Sequence, residues 1–179
     1  RQVRKLLSHT DGSKIKTYDN SSQVGSAIYI PSINFRQIMK LPNEASIFTA
    51  ELIAIKYAIC YVQKHSIFQT LILTDSPSFI KAITNPKPKT HPNILVYNIQ
   101  KRLLKLNELE FTLAWIPSHH KIPGNDTVDE LAKAGAKLNI QSVIKIPYTD
   151  YFSSIKQTIQ NQWQEKWDSV VKNKTTALA

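Results

Sequence analysis

The stretch that decides how this chain is read is Trp115 to Lys133, WIPSHHKIPGNDTVDELAK. An apolar strand, Glu110 to Ile116, ends at Trp115 and Ile116. A loop follows with two adjacent histidines, two prolines and a glycine. A helix is then expected from Asn125 to about Leu138, with Asp126 and Asp129 in its first turns. A loop rich in titratable groups that feeds acids onto a helix start has the makings of a site. The question it raises is which other acids can meet Asp129.

The segments upstream supply three. Arg4 to Ser8 reads as a strand running into the turn-like Thr10-Asp11-Gly12-Ser13, so Asp11 is expected at a strand end, before a polar loop from Lys14 to Gln23. Val24–Ile30 and Asn34–Met39 are β-prone and joined through Pro31-Ser32-Ile33, which suggests a hairpin. Ser46 is a plausible N-cap for a helix to about Lys64. That helix is apolar nearly all round, which marks it as buried on most sides, yet it carries Glu51 in its first turns. Thr70–Thr74 is a short, continuously apolar strand, as in the middle of a covered sheet, and Asp75 follows it directly. Ser76-Pro77 opens a short helix. Ile94 to Leu106 repeats apolar residues at helical spacing. The small residues Ala132, Ala134, Gly135 and Ala136 let the last helix of this set approach a sheet closely. Three early strands, then strands separated by helices, make an α/β chain whose sheet starts antiparallel and continues with two parallel strands.

If the strands before Asp11 and Asp75 are neighbours, both carboxylates emerge at one edge of the sheet. Glu51 and Asp129 could then face them from helices. Taken singly, each acid is adequately explained as a cap or turn residue; all four in this order are not. Clustered carboxylates repel unless a cation neutralises them. Ligands that are all oxygen suit hard ions such as Mg²⁺ or Mn²⁺ rather than zinc, and two such ions about 4 Å apart can clamp a phosphodiester.

Composition is compatible with that chemistry. The chain has 179 residues, 42% hydrophobic and 20% charged, enough for one domain with a sizeable core. Its net charge of +10 favours a polyanionic partner, nucleic acid first. No apolar run approaches the ~20 residues of a membrane span, so no membrane partner is expected. The single cysteine, Cys60, excludes an internal disulfide and a cysteine-based metal site. It points to a reducing, intracellular compartment, cytoplasmic or nuclear. The chain begins at Arg1 without Met, as a piece cut from a longer protein would.

With these residues in hand, the chain resembles a ribonuclease H domain, of the kind carried by reverse-transcriptase polyproteins of non-LTR retrotransposons. The resemblance runs from about Arg4 to Leu138. It rests on TDGS at Thr10–Ser13, SIFTAELIAI at Ser46–Ile55, LTDS at Leu73–Ser76 and the block at Trp115–Lys133. TDGS alone is weak; the four in order are highly specific. The resemblance implies a ribonuclease H-like fold, a five-stranded mixed sheet flanked by helices, and hydrolysis of the RNA strand of RNA–DNA hybrids with two Mg²⁺ ions, for which Mn²⁺ substitutes. It implies Asp11 bridging both ions, Glu51 and Asp75 on one and Asp129 on the other, with 3′-hydroxyl and 5′-phosphate products. His119 matches the family's mobile loop histidine, suited to proton transfer near neutral pH; His120 is its alternative. Gly12 and Ser13, through their backbone, and Lys121 in the loop are the candidate substrate contacts. The implied partners are the hybrid and the reverse-transcriptase portion of a larger polyprotein.

The chain also departs from the family pattern. Ser118 stands where Gly is common, His120-Lys121 replaces a small pair, and Asp126 stands where Glu is usual. Ile47 and Phe48 occupy a place where other members carry amides. A long basic insertion is absent, and Lys81, Lys87, Lys89, Lys101, Arg102 and Lys105 are read for the most part as solvated faces. A module of the same fold that binds hybrids without cutting them is the alternative from another class, and the four acids weigh against it. Another nuclease or transposase of this fold is a third reading, opposed by the histidine-loop block.

The ribonuclease H domain is expected to span residues 1–139. An extended linker and an amphipathic helix are expected over 140–171, with a disordered tail over 172–179. The helix would carry Phe152, Ile155, Ile159, Trp163, Trp167 and Val170 on one stripe, packed on its own domain or docked on the rest of a polyprotein or on a second copy.

Overall fold

The structure, a computed structural model, describes residues 5–18, 21–85, 93–106, 109–118 and 120–176, the last five of these as backbone only. It divides into two compact units, Arg1–Pro147 and Tyr148–Ala179.

The first unit is built on a five-stranded sheet. Its strands are β1 (Lys5–Lys16), β2 (Ser22–Ile30), β3 (Phe35–Leu41), β4 (Gln69–Thr74) and β5 (Glu110–Trp115), in the order β3-β2-β1-β4-β5. β1, β2 and β3 pair antiparallel; β4 joins β1, and β5 joins β4, in parallel. The expected mixed sheet is therefore present. The helices are α1 (Ile47–Lys64), α2 (Pro77–Thr84), α3 (Ile94–Leu104) and α4 (Pro123–Ala136). Ser46 caps α1, its hydroxyl accepting from the Thr49 backbone N–H at 3.1 Å.

Strand alternation sends the helices to opposite faces. On β2, Ser26 donates its hydroxyl hydrogen to the Ala50 carbonyl of α1, while the adjacent Gly25 lies against the Ala132–Ala136 backbone of α4. The α1 face carries the larger core, with Ile28, Ile53, Ile59, Ile72, Phe79 and Ile99 all fully buried. Ala27, Val128 and Ala132 form a smaller core under α4. The small-residue patch of α4 thus does what its composition suggested: a side chain at Gly135 would collide with the Met39 carbonyl of β3. Lys40, buried in β3, donates through Nζ to the Ala136 carbonyl and ties down the end of α4.

Two expectations need correction. Thr10–Ser13 is not a turn. β1 continues to Lys16, and the chain reverses at Thr17–Ser21, where the Thr17 N–H meets the Ser21 carbonyl at 2.9 Å. Asp11 is therefore inside a strand, paired with Ala27. The glycine that suggested a turn serves a close crossing instead: a Cβ at Gly12 would sit 2.7 Å from both Ala50 Cβ and the Glu51 nitrogen. In addition, α4 starts at Pro123 rather than Asn125, because proline suits the first helical position, where no N–H is needed.

Beyond α4, residues 141–147 have no regular structure but are anchored. The Ser142 N–H donates to the Lys40 carbonyl, and Ile144 and Ile146 pack against the core. This attachment carries the first unit to Pro147, past the expected boundary at 139. The second unit is a 3₁₀ turn, Tyr148–Tyr151, and a helix, α5 (Phe152–Thr176), which continues past Lys172, where a disordered tail was expected. Tyr148 meets the Phe152 ring edge-on. No helix among the described residues is long and apolar enough to cross a membrane.

Candidate metal and nuclease site

The parallel register of β1 and β4 sets the site. Their pairing ends at His9 opposite Leu73, and continuing it by two residues brings Asp11 level with Asp75. Because β4 stops at Thr74 while β1 runs on, the space beside Asp11 is open. Asp75 enters it from the end of β4, where the Trp115 indole N–H donates to the Asp75 carbonyl at 3.2 Å. Glu51 enters it from α1, held there by the Gly12 crossing. One carboxylate oxygen from each of Asp11, Glu51 and Asp75 lies within 4.8 Å of the others.

These acids are costly neighbours. Asp11 and Glu51 are buried, and burial raises both pKa values; repulsion from Asp75 and Asp129 adds to it at Asp11, and repulsion from Asp11 and Asp75 adds to it at Glu51. Asp11 is pushed up to about 7, opposed by a hydrogen bond from the Gly12 backbone and by Lys133. Glu51 is pushed up to about 9, opposed by a hydrogen bond from the Thr74 side chain. One Glu51 oxygen, Oε2, is buried without any hydrogen-bond partner. An unpartnered carboxylate oxygen among carboxylates fits a site completed by a hard cation, and the purely oxygen donor set fits Mg²⁺ or Mn²⁺.

The fourth acid is arranged differently. Asp129, in the second turn of α4, lines the same cleft of about 270 Å³. It is not in the group of three: its Oδ2 accepts from Lys133 Nζ at 2.6 Å. The cleft is also lined by Gly12, Ser118, Asn125 and Asp126. Asn125 is buried on the first turn of α4; the sequence reading gave it only the role of opening that helix. His9 was missed altogether. It shares the Asp11 face of β1, and its buried ring lies against Gly124, where a Cβ would collide with it. Burial pushes its pKa down. Its position two residues before Asp11 was the available signal, since i and i+2 share a strand face.

Among the other expected site residues, Gly12 lines the cleft, while Ser13 is buried in β1 opposite Gly25 and does not line it. Lys121 is exposed, has a left-handed backbone (φ 53°) and does not line it either. His119 lies outside the described residues. His120 is exposed, with Nδ1 2.7 Å from the Ser118 carbonyl.

The fold has clear relatives. The RNase H domain of PFV shares 23% identity with this chain at a TM-score of 0.58, over 73% of this chain and 93% of that one. RNase H1 from the archaeon Halobacterium salinarum shares 16% at 0.53, over 73% and 96%. A foamy viral protease-reverse transcriptase, solved with an RNA/DNA hybrid, shares 20% at 0.61 over 75% of this chain. This chain spans about 20% of the length of that protein. At these identities the likeness establishes the fold. Family membership rests on the sequence match itself, which covers residues 4–137. With the motifs, the sheet order and the acid cluster in agreement with that match, the chain belongs to the RNase H family.

Proposed function

We propose that this domain is a divalent-metal-dependent endonuclease that hydrolyses the RNA strand of RNA–DNA hybrids during retrotransposon reverse transcription. The observation that carries the reading is the convergence of Asp11, Glu51 and Asp75 within 4.8 Å in an RNase H domain. Those three residues would hold the cation, and Asp129 would join them on leaving Lys133. A bound divalent ion would supply Lewis acidity, making a water more acidic and offsetting charge at the phosphate.

The chain's own residues do the rest. Burial of Asp11 and Glu51 fixes their carboxylates in advance and keeps bulk water from competing for them. Gly12 lines the cleft and is proposed to offer its backbone to a ribose-phosphate. The Ser118 and Asn125 side chains line the wall and can hydrogen-bond to substrate. His119 is proposed to move a proton at the leaving oxygen, and Ser13 and Lys121 to make outer substrate contacts. The retrotransposon context rests on the four-motif resemblance, and it makes a reverse transcriptase in the same polyprotein, inside the cell, the natural partner.

The test is cleavage of a labelled RNA–DNA hybrid in Mg²⁺ by wild type and Asp75→Asn. Cuts in the RNA strand leaving 3′-hydroxyl ends, lost in the variant, support the proposal. Binding without cleavage in either Mg²⁺ or Mn²⁺ would instead identify a hybrid-binding module. Preference for duplex DNA would identify another nuclease of this fold.

A further inference from the structure

α1 and α3 pack side by side on one face of the sheet. On their outer side is a second cleft, of about 420 Å³, lined by Lys56 and Gln63 from α1 and by Asn98, Lys101, Arg102 and Lys105 from α3 and its C-cap. Among the described residues its lining holds four cations, two amides and no acid. Arg102 donates through Nη1 to Gln63 Oε1 at 3.0 Å, and both side chains are half-buried, so the guanidinium is held in place. Among the described residues none of these four cations is in an ion pair.

Cations in the last turn of α3 offset its dipole, and this accounts for some of them. It does not account for Lys56, which is in the middle of α1 and faces the same cleft. Four like charges converging without a carboxylate repel one another, and an anion relieves that repulsion. Tyr97, exposed on α3, adds a second kind of group: Lys101 Nζ lies 6.0 Å from its ring centroid. A basic groove bordered by an exposed aromatic ring is the arrangement that binds single-stranded nucleic acid by charge and stacking. An acidic peptide needs only the charge.

Position selects the kind of strand. Lys56 and Gln63 lie roughly 8 and 18 Å along the α1 axis from Glu51 at 1.5 Å per residue. They are also rotated by roughly 120–140° about that axis at ~100° per residue. A duplex, with a persistence length of ~50 nm, does not turn such a corner. A single strand does, within several nucleotides. We infer that the α1–α3 cleft binds the phosphodiester backbone of single-stranded RNA or DNA flanking the hybrid. The inference rests on the reading that the ligand is nucleic acid, and not on cleavage.

The experiment measures binding by the full chain without divalent ions. It compares a blunt RNA–DNA hybrid with the same hybrid carrying a 12-nucleotide single-stranded extension at each of its four ends in turn. At least one extension should tighten Kd about tenfold at low salt, by tethering a second contact. It should also steepen the salt dependence by about 2, as three phosphates at ~0.7 each would. Lys101→Ala/Arg102→Gln/Lys105→Ala should abolish both gains while leaving the blunt hybrid within about twofold. Tyr97→Ala should lose about fivefold of the gain and keep the salt slope, separating stacking from charge. Circular dichroism melting checks the fold, and if the α3 variant is unfolded, Lys56→Gln should cut the gain a few-fold and lower the added salt slope by about 0.7, an undiminished gain counting as survival.

The inference is overturned if no extension tightens binding or if the gain survives in the folded variants. It is also overturned if polyglutamate of equal charge competes as well as an oligonucleotide, which would mark an acidic-peptide site. Binding of extensions without Mg²⁺-dependent cleavage would remove the nuclease reading and leave this one. Cleavage without any gain from extensions would do the reverse.

Discussion

The two ends of α1 serve opposite electrostatic purposes. Near its start, Glu51 is buried among like charges, and its carboxyl is pushed up to about 9. From its middle onward, Lys56 and Gln63 line a cleft of solvated cations. In the first place the fold opposes the charge it carries, by desolvation and by the approach of Asp11 and Asp75. In the second the charge remains in contact with water. The difference teaches where each kind of site gets its strength. A buried acid cluster is poorly balanced until a cation arrives, so small changes in geometry or protonation should act strongly. A solvated basic cleft works by summed, screened attraction, so single changes there should act weakly and with salt.

The sharpest way to break this comparison is to remove charge at each site. Asp75→Asn in the acid cluster should lower Mg²⁺-dependent cleavage on the order of 10³-fold or more, with binding of hybrid in the absence of divalent ions altered only a few-fold. Asp11→Asn should behave in the same way. Removal of one cation from the basic cleft should change the Kd of an extended hybrid only a few-fold, and less as salt rises. Single-turnover cleavage and anisotropy titrations measure the two quantities separately. A single lysine change as damaging to cleavage as Asp75→Asn would erase the distinction.

The next effect is steric. Gly12→Ala places a Cβ 2.7 Å from Ala50 Cβ and the Glu51 nitrogen, and both neighbours are buried and held by helix and sheet. The crossing has to open, at a cost of about 1–3 kcal/mol in stability by urea denaturation, and Glu51 has to move away from Asp11. Cleavage should therefore fall in protein that remains folded. Unchanged stability would mean that β1 and α1 are not held together at this point.

Much of this was legible in the sequence, for identifiable reasons. The unbroken apolar run Thr70–Thr74, the helical spacing of Ile94–Leu106 and the small residues of Ala132–Ala136 are each set by what meets the core, so the order of strands and helices could be read from them. The four acids stood out because a charge in a greasy helix, or directly after a buried strand, is unusual. What local pattern could not convey was distance. Thr10–Ser13 has turn chemistry, but the partner strand β2 and the crossing helix α1 impose extended backbone on it. Asp129 is on the cleft wall as a site residue should be, yet whether it meets Asp11 or Lys133 depends on side-chain reach across one helical turn. Asn125 has a buried position because Pro123 starts α4 earlier than the polar residues suggested.

A third effect, smaller again, concerns pH. Asp11 and Glu51 have folded pKa values raised to about 7 and about 9, above their ordinary values near 4. Between those limits the folded state holds more protons than the unfolded one, so stability decreases as pH rises. The metal-free protein should thus lose Tm steadily between pH 5 and pH 9 from this source. Glu51→Gln should flatten that dependence, and added Mg²⁺ should restore Tm most at high pH, where the carboxylates are ionised and free to bind it. A dependence of opposite sign would show that the acids are better solvated than their burial indicates.

The smallest expected effect joins the two kinds of electrostatics at a single residue. Lys133 is exposed, and its pair with Asp129 spans one helical turn at the surface. Such pairs are screened by water, and this one should stabilise the fold by no more than about 0.5 kcal/mol. Lys133→Gln should therefore leave the urea midpoint almost unchanged. Its effect on cation binding should be larger than its effect on stability, in two ways, the second of which depends on pH. Removing the ammonium frees Asp129 Oδ2, and it also removes a cation that lowers the Asp11 pKa. The first favours binding through an added ligand. The second leaves the site more negative in its ionised form, which favours a divalent ion once Asp11 has lost its proton. At pH 8 both act in the same direction, and the Mg²⁺ concentration for half-maximal cleavage should fall about two- to threefold. At pH 6, where Asp11 more readily keeps its proton, the benefit should shrink. A fall in Mg²⁺ requirement that is equal at both pH values would mean that Lys133 acts only by occupying Asp129. A rise at pH 8 would mean that its charge helps to hold the substrate phosphate.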